Sequence, residues 1–346
     1  MASDLLRVGI IGIGFGQNHI RGYQACPDVE VTAICSRTSE TARSVARDYT
    51  IPHVFTDYRA LLDRPDIDAV SICTPVYLHR QMTCDALDAG KHVLCEKPLG
   101  LHTEDAQAML DYARQSGLVH MTNFGWRFNA PAYRMKALID ESYLGAIYHI
   151  NARYMMDYRA DPKSACSWRD KRAEGGLGVL GDMGVHLIDM ARWWIGDFIR
   201  VCAMMRNLVP QRPSGETNRM EPSELEDTCG FLAELEHGVH GVFHASRCAL
   251  RTDYIHIDVH GSNGALQFQF QRETMQARLL GGQGLQGDLQ TLPMPAHLSD
   301  LSSQRHFVEA VRNGHEVKPD FFDGVCVQNV ADTIVNAEKQ GRWVDL

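Results

Sequence analysis

The sequence predicts an α/β protein in two parts: a doubly wound parallel sheet over residues 1–123 and an α+β domain with a large, mainly antiparallel open sheet over residues 124–346. Three observations carry this. A first apolar strand runs into a glycine turn, Gly12-Ile13-Gly14-Phe15-Gly16, with helix-compatible sequence behind it. Short apolar strands then alternate with helical stretches as far as Asn123, as in a parallel sheet covered on both faces. Beyond residue 124 the chain changes to long strand-like runs separated by turn signals, the pattern of an antiparallel sheet with one face packed.

In chain order, residues 5–11 form the first strand. Gly12 permits a tight turn and Gly14 lets the backbone approach a pyrophosphate, while the following helix offers free N–H groups and a positive dipole end. The spacing departs from G-x-G-x-x-G. Gln17 stands where the third glycine belongs, and Gly16 comes one residue early. The second strand, 29–35, ends in Ser36-Arg37-Thr38. An NAD-binding protein usually has a carboxylate here for the ribose 2′-OH. A neutral hydroxyl and a guanidinium suit a 2′-phosphate instead, which favours NADP(H) over NAD(H). Ser36 also qualifies as the N-cap of the next helix. A short helix at 57–62 and a strand at 69–73 lead to Thr74 and Pro75, with His79 nearby, either along the cofactor or on a helix surface.

A helix at 78–89, closed by Gly90, precedes Lys91-His92-Val93-Leu94-Cys95-Glu96-Lys97-Pro98. Its apolar centre reads as a buried strand. Glu96 and Lys97 therefore stand at a carboxyl strand end, where α/β sheets bind ligands. Pro98 restrains the turn and is compatible with a cis bond. A helix at 103–115 and a strand at 118–123 complete the first part.

The second part opens with a helix at 130–139, closed near Gly145. Strand runs follow at 146–156, 199–206, 226–236, 238–246, 253–260 and 264–270, loops at 207–223 and 281–297, and closing helices at 299–313 and 322–340. A glycine-rich approach leads to a helix from about Gly181, with Leu187, Ile188, Ala191, Trp194 and Ile195 on one side. Asp182, His186 and Asp189 fall on the other side at i, i+4 and i+7. An Asp and a His one turn apart can hold and deprotonate a hydroxyl together, Asp182 orienting it and His186 moving the proton. The histidines at 237, 240 and 244 cross a turn, and His256-x-Asp258-x-His260 puts three polar side chains on one sheet face. That face suits solvent or a subunit interface as well as a metal, and no metal site is expected.

With 346 residues and a net charge of −9, the chain has room for two domains and no basic stripe for nucleic acid. No apolar run is long enough to cross a membrane. The N-terminus leads straight into a strand, and the ten cysteines contain no C-x-x-C. Both point to a reducing cytoplasm.

These residues resemble the glucose–fructose oxidoreductase / inositol dehydrogenase / rhizopine catabolism (Gfo/Idh/MocA) family. The carriers are Gly12-Ile13-Gly14, Thr74-Pro75 with His79, the run from Ala89 into Glu96-Lys97-Pro98, and the glycine-rich approach to Asp182 and His186. The match spans residues 6–344. Tyr154-Met-Met-Asp157, Ser167-Trp168-Arg169 and the Asp182 helix are similar to the levoglucosan dehydrogenase-like pyranoside oxidoreductases of that family. The resemblance implies an N-terminal Rossmann domain and a C-terminal sheet that builds a homodimer or homotetramer. It also implies a cis bond before Pro98 and a catalytic set of Lys97, Asp182 and His186. Gly12, Gly14, Phe15, Gly16, Ser36, Arg37, Thr74, Pro75, His79, Glu96 and Lys97 are the candidate cofactor contacts. Arg153, Asp157, Trp168 and Arg169 join Lys97, Asp182 and His186 as candidate substrate contacts.

The activity so implied is hydride transfer between a nicotinamide and a secondary hydroxyl of a pyranose, anhydrosugar or cyclitol. Lys97 would polarise the oxygen, and either His186 or Lys97 would carry the proton. Two rivals stand beside it: a redox-assisted glycoside hydrolase with tightly held NAD, and a non-catalytic sugar or nucleotide sensor. The sensor reading sits poorly with an intact Lys/Asp/His set.

Overall fold

The apolar run at the N-terminus becomes a central strand because its side chains have cover on both faces. Val8, Ile10 and Ile11 of β1 (Leu6–Ile11) are at most 1% exposed. The computed structural model describes residues 5–217 and 219–346. It falls into two compact units, residues 1–125 with 301–326 and residues 126–300 with 327–346.

The first unit carries β1, α1 (Gly16–Gln24), β2 (Val29–Cys35), α2 (Ser39–Asp48), β3 (His53–Phe55), α3 (Tyr58–Leu62), β4 (Ala69–Ile72), α4 (His79–Asp88), β5 (His92–Glu96), α5 (Thr103–Ser116) and β6 (His120–Asn123). The six strands pair in parallel in the order 3-2-1-4-5-6, the doubly wound arrangement with its switch point between β1 and β4. Element starts follow local chemistry. Asp57 caps α3 by accepting from the Arg59 N–H at 3.0 Å, and Gly90 takes φ +73° after α4. The N-cap of α2 is Thr38, with no side-chain cap bond, so Ser36 does not cap it. The three-residue strand β3 extends the sheet beyond β2, outside the strands expected from the sequence.

In the second unit, α6 (Ala130–Asp140), β7 (Ile147–Met156), the short turn α7 (Arg172–Gly175) and α8 (Val185–Trp194) precede the main strands. These are β8 (Phe198–Arg206), β11 (Thr228–Leu235), β12 (Val239–Ser246), β13 (Asp253–Gly261), β14 (Gly264–Gln271) and β15 (Gln276–Gln283). With the short β16 (Gln290–Thr291) and β17 (Val344–Asp345) they form a sheet in the order 16-15-14-13-7-12-11-8-17. Among the described residues its neighbours are antiparallel except β7 and β12. Two stretches read as loops prove partly stranded. Residues 207–223 hold the ribbon β9 (Gln211–Pro213) and β10 (Met220–Pro222), and residues 281–283 finish β15. The Gly281-Gly282 pair reads as a turn by composition, but it continues the register against β14.

Strict alternation gives the sheet two faces. One is packed under α6 and α8: Trp194 lies 6.2 Å from Phe268 and donates from Nε1 to Ala132 O at 3.2 Å, and Trp126 lies 4.8 Å from Phe270. The other face exposes His240, Val242 and His244. The last two helices are α9 (Ser303–Asn313), which packs on α1, and α10 (Phe321–Gln340). No helix among the described residues is long and apolar enough to cross a membrane, and the ten cysteines are free.

Candidate active site

In the first unit the glycines divide the work of the turn after β1. Gly12 has φ +91°, and a Cβ there would stand 2.7 Å from the Cys73 carbonyl carbon at the end of β4. A Cβ on Gly14 would meet no described atom within 4 Å, so the backbone here is open to a ligand. Gly16 opens α1, and a Cβ there would stand 2.9 Å from Ile10 Cγ2. This close helix–strand packing is the task of the third glycine in the G-x-G-x-x-G pattern, so the displaced glycine still performs it. The first turn of α1 carries no acidic residue and Phe15 is half exposed beside it, so the residues present fit a dinucleotide pyrophosphate. At the end of β2, Ser36 is half-buried and Arg37 is exposed.

The Lys97 turn is held from behind. The Lys97–Pro98 bond is cis. Glu96 faces inward, 7% exposed, and His19 Nε2 donates to its Oε1 at 2.9 Å, while Asn123 Nδ2 donates to the same oxygen. Burial alone would raise the Glu96 carboxyl, but the His19 and Asn123 hydrogen bonds and the Lys97 charge outweigh it and hold it below the ordinary value. His79 also lies inside, 1% exposed, with Nδ1 3.0 Å from Pro98 O and Nε2 3.0 Å from Thr74 O. It ties the end of β4 to the Lys97 turn through main-chain carbonyls, in place of either position expected for it, along the cofactor or on a helix surface. Burial pushes its pKa down, against those carbonyls and Glu96.

In the second unit the helix with the Asp/His pair begins irregularly. Residues Leu180–Gly184 form a π-helical turn that runs into α8, and such turns recur at functional sites. Glu226 sets this turn: its Oε1 accepts from Gly178 N at 2.8 Å and Leu180 N at 3.1 Å. Burial raises the Glu226 carboxyl against these N–H donors. A Cβ on Gly178 would stand 2.2 Å from Glu226 O, so only glycine fits. Asp182 and His186 are half-buried one turn apart. The Tyr158 hydroxyl donates to Asp182 Oδ2, and the Tyr154 ring lies 6.4 Å from that of His186. Burial first, then the Asp182 charge, drives the Tyr158 phenol far above its ordinary value, so it remains a donor.

Asp189, expected on the polar side with Asp182 and His186, is 1% exposed and pairs with Arg127, whose Nη2 donates to Oδ1 at 2.6 Å. Residues 157–170 are anchored by a buried ionic cluster. Asp170 and Asp227 face Arg159, Arg212 and Arg247, with Arg159 donating to Asp170 at 2.5 Å and Arg247 to Asp227 at 2.8 Å. This stretch carries Asp157, Tyr158, Trp168 and Arg169, the last with its guanidinium 4.2 Å over the Trp168 ring.

The structure therefore gathers Asp182, His186 and Tyr158 in one unit, and Gly12, Thr74, Glu96 and His79 around the strand ends of the other. It does not bring Arg153 to the Asp/His pair. Arg153 lies on the open sheet face in register with His244 and His256, while its neighbour Tyr154 takes the α8 face. His256, Asp258 and His260 are on that same open face, with His256 Nε2 3.1 Å from Asp258 Oδ1. Tyr158, Glu226, His19 and the ionic cluster escape sequence reasoning. Tyr158 stands next to Asp157, and Glu226 with Asp227 opens the strand run at 226–236, the local signals that could have found them.

A 3-2-1-4-5-6 sheet with an open glycine turn in one unit, and an acid and a histidine one turn apart on a helix of the other, define a dinucleotide-dependent oxidoreductase. Residues 6–124 match the oxidoreductase family with NAD-binding Rossmann fold, and residues 133–267 match the GFO/IDH/MocA C-terminal domain. The levoglucosan dehydrogenase of Pseudarthrobacter phenanthrenivorans is 31% identical, with 99% of this chain and 98% of that protein covered. The inositol 2-dehydrogenase of Rhizobium meliloti is 26% identical over 99% of both chains. A levoglucosan dehydrogenase structure in complex with NADH and levoglucosan superposes with a TM-score of 0.91, at 31% identity and 99% coverage of each chain. The chain belongs to the Gfo/Idh/MocA oxidoreductase family, and its first unit is a nicotinamide-dinucleotide-binding Rossmann domain.

Proposed function

We propose that this protein oxidises a secondary hydroxyl of a pyranose, an anhydrosugar or a cyclitol, and that it takes NADP(H) in preference to NAD(H). Residues 1–123 serve as the cofactor domain and 124–346 as the substrate and assembly domain, except that 301–326 return to the first unit. The observation that carries the reading is the Asp182 turn: a half-buried carboxylate with one oxygen engaged by a protonated tyrosine, and a histidine one helical turn further on. The similarity to enzymes named for levoglucosan and inositol supports a polyol substrate.

The bound nicotinamide supplies the hydride acceptor, and the protein's own groups do the rest. Asp182, with Oδ2 bonded to Tyr158, accepts from a neighbouring hydroxyl of the substrate and so fixes the direction of the reacting one, whose single proton is left to His186. His186 removes the hydroxyl proton, and the Lys97 ammonium stabilises the charge that develops on oxygen. Asp157, Trp168 and Arg169 contact the other hydroxyls from the anchored 157–170 stretch. Gly12, Gly14, Phe15 and Gly16 hold the pyrophosphate, with Thr74 and Pro75 alongside. Arg37, exposed at the end of β2 with no acid at positions 36–38, pairs with a 2′-phosphate. The open sheet face, where Met204, Leu232 and Val242 are 70%, 47% and 48% exposed, makes the contact of a homodimer or homotetramer in the cytoplasm.

Lys97→Ala tests the catalytic assignment. We expect turnover to fall more than about 100-fold while the dissociation constant of the reduced cofactor, read by its fluorescence, changes by less than about threefold. Equal losses would make Lys97 a cofactor anchor.

A further inference from the structure

Five side chains of the first unit form a hydrogen-bonded line that no step above uses. Tyr23 Oη and Ser71 Oγ are 2.9 Å apart, Ser71 Oγ lies 3.1 Å from His19 Nδ1, His19 Nε2 lies 2.9 Å from Glu96 Oε1, and Asn123 Nδ2 donates to that oxygen. They come from α1, β4, β5 and β6, and each is at most 7% exposed. Apolar residues would fill such a space with a smaller desolvation cost, so a polar line aimed at one carboxylate calls for a purpose. Its polarity follows from the far end. An ionised carboxylate only accepts, so His19 Nε2 carries the hydrogen. Ser71 is then able to donate to Nδ1 and Tyr23 to Ser71, so that every donor runs toward Glu96. The other carboxylate oxygen, Oε2, receives the Lys97 N–H at 3.3 Å, and its charge attracts the Lys97 ammonium. Where Glu96 is held, Lys97 is held.

We propose that His19 and Asn123 are positioning residues for Lys97, acting through Glu96: they lock a buried carboxylate whose other oxygen and charge fix the catalytic turn. This rests on the reading of Lys97 above. The consequence is energetic coupling, since residues that act through one intermediary have non-additive effects.

The test is a double-mutant cycle of His19→Ala and Glu96→Gln. We expect each single change to lower kcat about 10- to 100-fold, with cofactor affinity within about threefold, and the double variant to be no worse than Glu96→Gln. His19→Gln, which keeps a donor near the Nε2 position, should recover most of the loss. Additive effects, or a loss of cofactor affinity as large as the loss of kcat, would overturn the proposal. Should His19→Ala not fold, Asn123→Leu takes its place in the cycle with the same expectation. Acylation of the Lys97 amine in cofactor-free protein, followed by peptide mass spectrometry, reads the coupling without activity. The single variants should shift its rate in the same direction and the double variant no further; unchanged rates in both would refute the coupling. A wild type inert toward every sugar while the amine rates remain coupled would sink the catalytic reading and leave the positioning intact.

Discussion

Replacing Asp170 with Asn probes the anchor beneath the substrate-side stretch. Asp170, Asp227, Arg212 and Arg247 have side chains with 0% exposure, and Arg159 has 13%. Two carboxylates thus face three guanidinium groups, and the substitution leaves three positive charges against one negative in a dry site. Removing one member of a buried pair costs about 3–5 kcal/mol, because the remaining charges stay desolvated. For a unit of roughly 200 residues, about 2–4 °C is lost per kcal/mol, so the melting midpoint should fall by about 6–20 °C. The five tryptophans, at 126, 168, 193, 194 and 343, all belong to the second unit, so their fluorescence reports its unfolding. The loss should also reach substrate binding below the midpoint. Arg212 donates to Asp161 O at 3.0 Å and to Arg159 O at 2.8 Å, and Arg247 donates to Arg169 O at 3.3 Å, so the cluster holds the main chain just after Tyr158 and just after Trp168. The KM for sugar should rise more than that for cofactor. The pH dependence has a definite sign. Burial alone would raise the Asp170 carboxyl, but the Ser167 N–H and the charges of Arg159 and Arg247 hold it below its ordinary value. A depressed folded pKa contributes stability above the unfolded value, near 4, that is lost as pH falls through the folded one. The gap between wild type and variant should therefore narrow below about pH 4. A midpoint within about 2 °C of wild type at neutral pH would refute the view that the cluster anchors this region.

Two further outcomes follow from the site. Tyr158→Phe deletes the hydroxyl that donates to Asp182. A hydrogen bond to a charged group is worth about 1.5–3 kcal/mol, so kcat/KM for sugar should drop roughly 10-fold or more with cofactor affinity unchanged, as measured by steady-state kinetics and cofactor fluorescence. Arg37→Ala should lower kcat/KM for NADP⁺ about 10-fold and leave that for NAD⁺ within about twofold; parallel losses would remove the 2′-phosphate role.

The legible parts of this protein are those written in local chemistry. Short apolar runs such as Val93-Leu94-Cys95, bounded by Gly90 and Pro98, read as buried strands, and the glycine turn announces itself by position. Displacement of the third glycine hid nothing, because Gly16 still packs against Ile10. Where reading failed, long-range partners decided. Asp189 fits a polar helix face until Arg127, 62 residues away in sequence, draws it inside. Arg153 suggests a sugar contact until strand alternation sends it to the face opposite Tyr154. His79 suggests a cofactor contact until two main-chain carbonyls occupy its ring. The ionic cluster joins residues from 159 to 247, and no window of sequence contains its members together. The π turn at Asp182 depends on Glu226, 44 positions after it, so a regular helix was the natural expectation there.

Appearance of reduced nicotinamide absorbance, measured with NADP⁺ and NAD⁺ separately against pyranoses, anhydrosugars and inositols, tests the central claim most directly. The account predicts turnover on at least one of these polyols, faster with NADP⁺. Turnover with NAD⁺ alone would overturn the role given to Arg37, and no turnover of any polyol with either cofactor would contradict the assignment of Lys97, Asp182 and His186 to alcohol oxidation.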